Sequence, residues 1–454
     1  MSRLLRFSFL ATLISGLSVV SSGATDSSPT VETETALLMM PETLIEGLQP
    51  LTAAALESSP RVIHARLDVL AAEAREEETR SVTRPRVDVF LDAAARENAT
   101  TSSGSFQTYY NVAAEQPLWH WNALDNQKRL AKIQRQLAEN DGEEARRSLV
   151  VEIRQRYLDL IMQKLQMGEI DAAYARQNSH LGVSREQAAR GELSADVVAT
   201  EQLDLRTTEV ARDRRRTAFQ RSLREFAVLN GLASFSAEAL PDGIPGVPAN
   251  AVALFNPAPP APPAAGRVPA ALARAEGELA SARLNQEITR VRMRPMVNLA
   301  AGANQDQTSG ADQTAVVSYF AGLRVRWDIF DGFATRAAVK QARVAVRQSE
   351  KTLVDARVAL ANQLADGVTD VLLAARELQI AEDRFALTLN RQRVDQDLWK
   401  SGQLADSEWR LRQAAAVGER TNLFRLRGQL MLQLAEQELL RQRATKPSNE
   451  IPFP

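Results

Sequence analysis

The residue types that carry most enzyme chemistry are sparse in this chain. Its three histidines, His64, His120 and His180, are scattered without the spacing of metal ligands, and cysteine is absent, so thiolate nucleophiles, thiolate ligands and disulfides are excluded. No glycine loop shaped to cradle phosphate is present, and no serine or threonine sits in a recognisable nucleophile setting. No catalytic, cofactor or metal residue is therefore expected, and His120 reads as a lumen or interface residue at a strand end. Acid and base nearly cancel, at a formal charge of −1, so no polybasic surface points to nucleic acid. The charged groups read as solvated helix faces.

The elements that position those groups come in two copies. Arg84-Pro85-Arg86-Val87 recurs as Arg294-Pro295-Met296-Val297 at a shift of 210, and Leu118-Trp119-His120-Trp121-Asn122 recurs as Ile329-Phe330-Asp331-Gly332-Phe333 at a shift of 211. The same shift carries Ala131 onto Ala342, Gly191 onto Gly402, Leu193 onto Leu404 and Gln202 onto Gln413. One register held over so long a stretch predicts a duplicated unit. Each unit reads as helix, strand, strand, long helix, turn and shorter helix. The first repeat spans 25–240, a Pro-rich linker 241–269, the second repeat 270–443 and a tail 444–454.

Ahead of these, Met1-Ser2-Arg3-Leu4-Leu5-Arg6, an apolar run from Phe7 to Val20 and a small-x-small site ending at Ala24 predict a signal peptide over 1–24. No later segment is expected to span a membrane as a helix, so integral contact would have to be made by strands.

The strands are predicted near 86–97 and 107–118 in the first repeat, and near 296–304 and 316–328 in the second. Val87, Val89 and Leu91 alternate with Arg86, Asp88 and Asp92, with Phe90 as the exception. Tyr110, Val112 and Ala114 oppose Tyr109, Asn111, Ala113 and Glu115. In the second copy Leu323, Val325 and Trp327 form the apolar side, which puts Arg324, Arg326 and Asp328 on the inner, barrel-lumen side. Half-buried soluble strands alternate in the same way. However, two isolated hairpins cannot enclose a pore, whereas three chains would supply twelve strands and close the sheet. Tyr109, Tyr110, Trp119, Trp121, Tyr319 and Trp327 are of the types that form the interfacial girdles of membrane barrels.

The long helices are predicted over about 126–190 and 334–400, each a rod of roughly 95 Å. Leu149, Ile153, Leu160, Met167, Ile170 and Tyr174 give the first a coiled-coil seam. Leu360, Leu364, Val368, Val371, Ala375, Leu378, Phe385 and Leu389 give the second. Leading helices, about 50–83 and 269–292, and return helices, about 194–230 and 406–443, are shorter. One of each, stacked end to end, matches one rod.

Ser59-Pro60, Pro85 before the first strand, Gln116-Pro117-Leu118-Trp119 and its echo Trp327-Asp328-Ile329-Phe330-Asp331-Gly332 resemble the TolC-like outer-membrane efflux protein family over nearly the whole mature chain. The resemblance implies a mainly α protein with a membrane β-barrel part: a homotrimer whose twelve-stranded barrel in outer-membrane lipid continues into an α-helical barrel across the periplasm. It also implies a passive exit duct serving a periplasmic adaptor and an inner-membrane transporter, in tripartite efflux or type I secretion. Cargo class, whether drug, metal, polysaccharide or protein, stays open. The alternative reading is a soluble periplasmic coiled-coil scaffold or adaptor.

By the same resemblance the helix turns dock the adaptor through Gly191, Leu193, Ser194, Gly402 and Leu404, and a periplasmic gate is formed by Asp406, Glu408 and Asp196. Asp196 lies one position early for the family's acid, and Ala405 stands where Ser or Thr is usual. Under threefold symmetry these carboxylates would form a cation-favouring ring. Equally, they read as solvated acids that a helix N-terminus favours.

Overall fold

The computed structural model describes residues 40–98, 103–248, 269–306 and 316–445. The signal segment 1–24, most of the linker and the tail beyond 445 lie outside the described residues. The first copy holds α1 (Pro41–Leu44), α2 (Leu48–Ser58), α3 (Pro60–Ser81), β1 (Arg86–Asn98), β2 (Ser103–Trp119), α4 (Ala123–Ala189) and α5 (Ala195–Leu229). The second holds α6 (Ala270–Arg290), β3 (Met296–Asp306), β4 (Val316–Arg326), α7 (Ala334–Lys400) and α8 (Asp406–Thr445).

The long helices α4 and α7 are both 67 residues. Neither contains proline, so nothing interrupts the i→i−4 ladder over roughly 100 Å. Both start and both end 211 residues apart, as do the starts of α5 and α8. The entry turns repeat as well: Trp121 and Asn122 have φ 53° and 62°, and Gly332 and Phe333 have φ 65° and 68°. Side chains hold these left-handed turns, which L-residues other than glycine, asparagine and aspartate seldom adopt. Trp121 Nε1 donates to the Pro295 carbonyl at 2.8 Å, and the Arg294 guanidinium lies 4.7 Å from the Trp121 ring. In the second copy Asp331 accepts from the Thr335 amide at 2.8 Å and from its hydroxyl, which holds the Asp331 carboxyl below its ordinary pKa.

Two expectations are corrected. The leading helix of the first copy is broken in two, because Pro60 forces Ser59 into an extended conformation, ψ 132°. In addition, one 18-residue window of α7 reaches a mean hydropathy of 1.2, so a later helix does meet the length and composition of a membrane span. Its apolarity is divided between two faces: Val371 and Leu378 are buried against α8, while Leu373 and Ile380 are exposed. Two separate packing stripes account for the composition.

Each long helix packs along one leading and one return helix: α4 along α3 and α5, and α7 along α6 and α8, with α4 joined laterally to α6 and α8. Around the middle of α4 runs a belt. Ile45 and Leu48 from the N-terminal segment, Phe226 from α5, and Leu240 and Ile244 from the segment after α5 close over Leu149, Ile153, Tyr157 and Ile161. The described start of the Pro-rich segment is thus packed rather than a spacer, tied by Lys164 Nζ to the Leu240 carbonyl at 2.6 Å. A second cluster joins Val371, Ala374, Leu378 and Ala381 of α7 to Leu423, Leu426, Leu430 and Leu434 of α8. Leu389, expected in that seam, is exposed.

Candidate functional site: a two-faced sheet and two helical tips

The strands form one antiparallel sheet in the order β1-β2-β3-β4, so the hairpins of the two copies join through β2 and β3. Directly paired residues point to the same face, and the register gathers the alternating sets. Val87, Val89 and Leu91 pair with Ala114, Val112 and Tyr110; Val112 and Ala114 pair with Ala303 and Ala301. Val297, Leu299, Ala301 and Ala303 pair in turn with Val325, Leu323, Ala321 and Tyr319. One face is therefore apolar across the four strands. No helix among the described residues packs over it, and Leu91, Leu323 and Val325 are 65%, 66% and 61% exposed.

The opposite face carries a polar network near the helical end. Asn298 Nδ2 donates to Glu115 Oε1 at 2.8 Å, His120 Nε2 lies 2.7 Å from Asn298 Oδ1, and Arg324 pairs with Glu115 at 3.5 Å. Arg86 sits directly opposite Glu115 and pairs with Asp88 at 2.9 Å. Arg324 and Arg326 stand on this face, opposite Asn298 and Met296. Asp328 falls beyond the end of β4, 3.9 Å from Arg326. Farther along, the face also carries Phe90, whose ring lies 6.1 Å from that of Tyr109. Equivalent tethers fix both strand ends: Gln116 Nε2 donates to the Thr83 carbonyl at 2.6 Å, and Trp327 Nε1, 211 residues on, to the Met293 carbonyl at 2.9 Å.

At the far end both long helices stop at a left-handed glycine, Gly191 with φ 76° and Gly402 with φ 75°. The Gly191 amide donates to Ala188 O and that of Glu192 to Gln187 O; Gly402 and Gln403 repeat this to Trp399 O and Leu398 O. This paired 5→2 and 6→1 closure requires a residue in the left-handed region, which glycine occupies without steric cost. Leu404 is buried under the second turn and Leu193 half-buried under the first. Ser194 precedes α5 in an extended conformation without a side-chain cap.

The two tips differ in charge. Asp406 pairs with Arg410 within α8. Arg412 joins Glu408 to Asp395 of α7, and the two carboxylates, Glu408 first, push its pKa further up. Trp399 and Trp409 stack across the same turn at 5.8 Å and 14°. Asp196, exposed at the start of α5, has no ion-pair partner among the described residues.

Residues 269–441, which hold α6, β3, β4, α7 and nearly all of α8, match the family described as outer membrane efflux protein. That part of the chain is therefore similar to an outer membrane efflux protein domain. No curated protein sequence matches the chain. Solved structures of similar fold include the CmeC outer membrane channel of Campylobacter jejuni, at TM-score 0.68 and 12% identity over 98% of this chain and 96% of that one. The MtrE outer membrane channel of Neisseria gonorrhoeae in its open state gives 0.65 and 13% over 89% and 90%. The outer membrane protein VceC of Vibrio cholerae gives 0.64 and 13% over 90% and 99%. At these identities the likeness is one of fold.

At the second tip, sequence reasoning named Asp406 and Glu408 but missed their partners. The i,i+4 spacing of Asp406 with Arg410 and of Glu408 with Arg412 was a legible signal. Asp395 and the Trp399–Trp409 stack depend on how α7 and α8 pair, and the Glu115–Asn298–His120 network depends on the β2–β3 pairing.

Proposed function

We propose that this chain is the protomer of a homotrimeric outer-membrane exit duct, passively conducting cargo delivered by a periplasmic adaptor and an inner-membrane transporter. The observation that carries the reading is the sheet: one continuous apolar face lies uncovered, while β1 and β4 are left as open edges. A soluble scaffold would have to bury that face, whereas lipid accepts it. In a bilayer the open edges must also be paired.

The helices favour closure by the same operation. α3 and α5 flank one side of the protomer and α7 the other, so β1 with α3 and α5 faces β4 with α7 of the next copy, a head-to-tail contact that makes a ring. Both flanks carry unpartnered apolar stripes: Ile63, Leu67 and Leu70 on α3, and Leu373, Ile380, Leu387 and Val394 at heptad spacing on α7. Three copies supply twelve strands. The polar face, with Arg324 and Arg326, then lines the lumen. The tips at Gly191, Leu193, Ser194, Gly402 and Leu404 form the periplasmic end that docks the adaptor, with Asp196, Asp406 and Glu408 around its opening. Multi-angle light scattering of the detergent-solubilised protein tests the assembly: three times the chain mass is expected, and a folded, monodisperse monomer contradicts it.

A further inference from the structure

The lower flanks of the protomer are matched in shape of pattern as well as in apolarity. On α5, Leu203 and Val210 are exposed a heptad apart, at 62% and 50%, and Thr217 continues their row. On α7 the exposed row is Leu373, Ile380 and Leu387. Charged residues flank both rows at fixed offsets. Three positions after a row residue come Arg206 and Asp213 on α5, and Arg376 and Asp383 on α7. Four positions after come Arg214 on α5, and Glu377 and Arg384 on α7. All seven are exposed, and among the described residues none has an ion-pair partner.

Height limits how the rows can meet. Arg212 of α5 is bound to Asp171 of α4 at 2.6 Å, and the residue 211 positions on from Asp171 is Glu382 of α7. With two copies at one height, Arg212 of one therefore stands level with Glu382 of the next. Two row-on-row registers fall within about a turn of that level: Val210 opposite Ile380, or Val210 opposite Leu387. Both bury apolar side chains on apolar side chains, so apolarity does not choose between them.

Charge does. Each long helix runs toward the tip and α5 runs back, so α5 and the neighbouring α7 are antiparallel. A local two-fold relates such a pair, which sets three-after positions against three-after positions and four-after against four-after. With Val210 on Ile380, Arg206 meets Asp383, Asp213 meets Arg376 and Arg214 meets Glu377, all opposite in sign. With Val210 on Leu387, Asp213 meets Asp383 and Arg214 meets Arg384, both alike. The one favourable contact in that second register, Arg221 with Glu377, is matched in the first by Arg221 with Asp370. Like charges across such a seam select against a register, as flanking charges do in coiled coils.

We propose that α5 of one copy docks on α7 of the next in the single register that sets Val210 on Ile380, fixed by the pairs Arg206–Asp383, Asp213–Arg376 and Arg214–Glu377 between copies. This rests on the trimeric exit-duct reading and adds the residues that align its neighbours.

Because the chain has no cysteine, engineered pairs report the register directly. In the detergent-solubilised full chain, oxidised V210C/I380C should run as covalent trimer on a non-reducing gel, and V210C/L387C should cross-link severalfold less. R214E should lower the trimer fraction severalfold at a fixed urea concentration, and E377R added to it should restore that fraction, whereas R384E added to it should not. Efficient cross-linking of V210C/L387C in place of V210C/I380C, an R214E trimer as resistant as wild type, or failure of E377R to restore it would overturn the register. Light scattering separates that failure from failure of the duct itself: a wild-type trimer with these results refutes only the register, and a folded wild-type monomer refutes both.

Discussion

Val112 and Ala113 are neighbours in β2 that the register sends to opposite faces, which makes them a sharp test of how the sheet sits in a membrane. Val112 lies mid-strand on the apolar face, opposite Val89 and Ala303. Ala113 points to the polar face, directly opposite Asp88. V112R puts a guanidinium toward lipid near mid-depth, at about 2–4 kcal/mol per chain, or roughly 6–12 kcal/mol for three copies in one ring. A113R instead offers Asp88 an ion-pair partner across the strand pair, an exposed contact of about 0–1 kcal/mol. Val325 also faces lipid but sits one residue from the end of β4, where the cost falls to about 0–1 kcal/mol. V325R should therefore resemble A113R more than V112R. Folding into liposomes, followed by protease protection and by urea titration of the assembled fraction, gives the order. V112R should fail or insert at a few per cent of the wild-type yield, while A113R, V325R and R324V insert nearly normally. Equal insertion of V112R and A113R would mean that the apolar face does not meet lipid.

At the tip, neutralising Asp406 and Glu408 together should lower cation selectivity in planar bilayers and weaken block by multivalent cations; because Arg410 and Arg412 already offset these acids, D196N, which removes an unpaired charge, should have an effect at least as large. Wild-type selectivity and block in both variants would leave the three residues as ordinary solvated helix-start acids. Just past the end of α5, Gly231 combines φ 69° with a Cβ position 2.5 Å from the Ser58 carbonyl oxygen. G231A should then destabilise the first copy by about 2–4 kcal/mol, left-handed strain plus overpacking, and lower the urea midpoint. G402A, with open space around it, should show only the strain of about 1–2 kcal/mol, read as faster amide exchange confined to the second tip.

The strand alternation and the helix lengths were legible because each is a local or periodic property. Alternation between Leu323 and Arg324 fixes opposite faces whatever the partner strand, and the absence of proline over 67 residues permits a continuous helix by itself. Gly191 and Gly402 marked the tips because only a left-handed residue completes that closure. The break at Ser59 was equally local, a consequence of Pro60, and should have been read as such. The site was half legible: sequence named Arg324, Arg326, Asp196, Asp406 and Glu408, and placed Asp328 in a strand that ends two residues before it.

Sequence by itself thus determined the elements, the two faces of each strand and the turn positions, because the backbone and its nearest neighbours settle those. Tertiary structure alone decided the pairing of β2 with β3, which turns two hairpins into one sheet and brings Glu115 to Asn298 across 183 positions of chain. It also decided the capture of Arg412 by Asp395 and the burial of Leu240 and Ile244 in the belt. These contacts join residues distant in sequence, and their formation depends on how helices and strands pack against one another. Periodicity in a single chain carries no record of which stripe meets which.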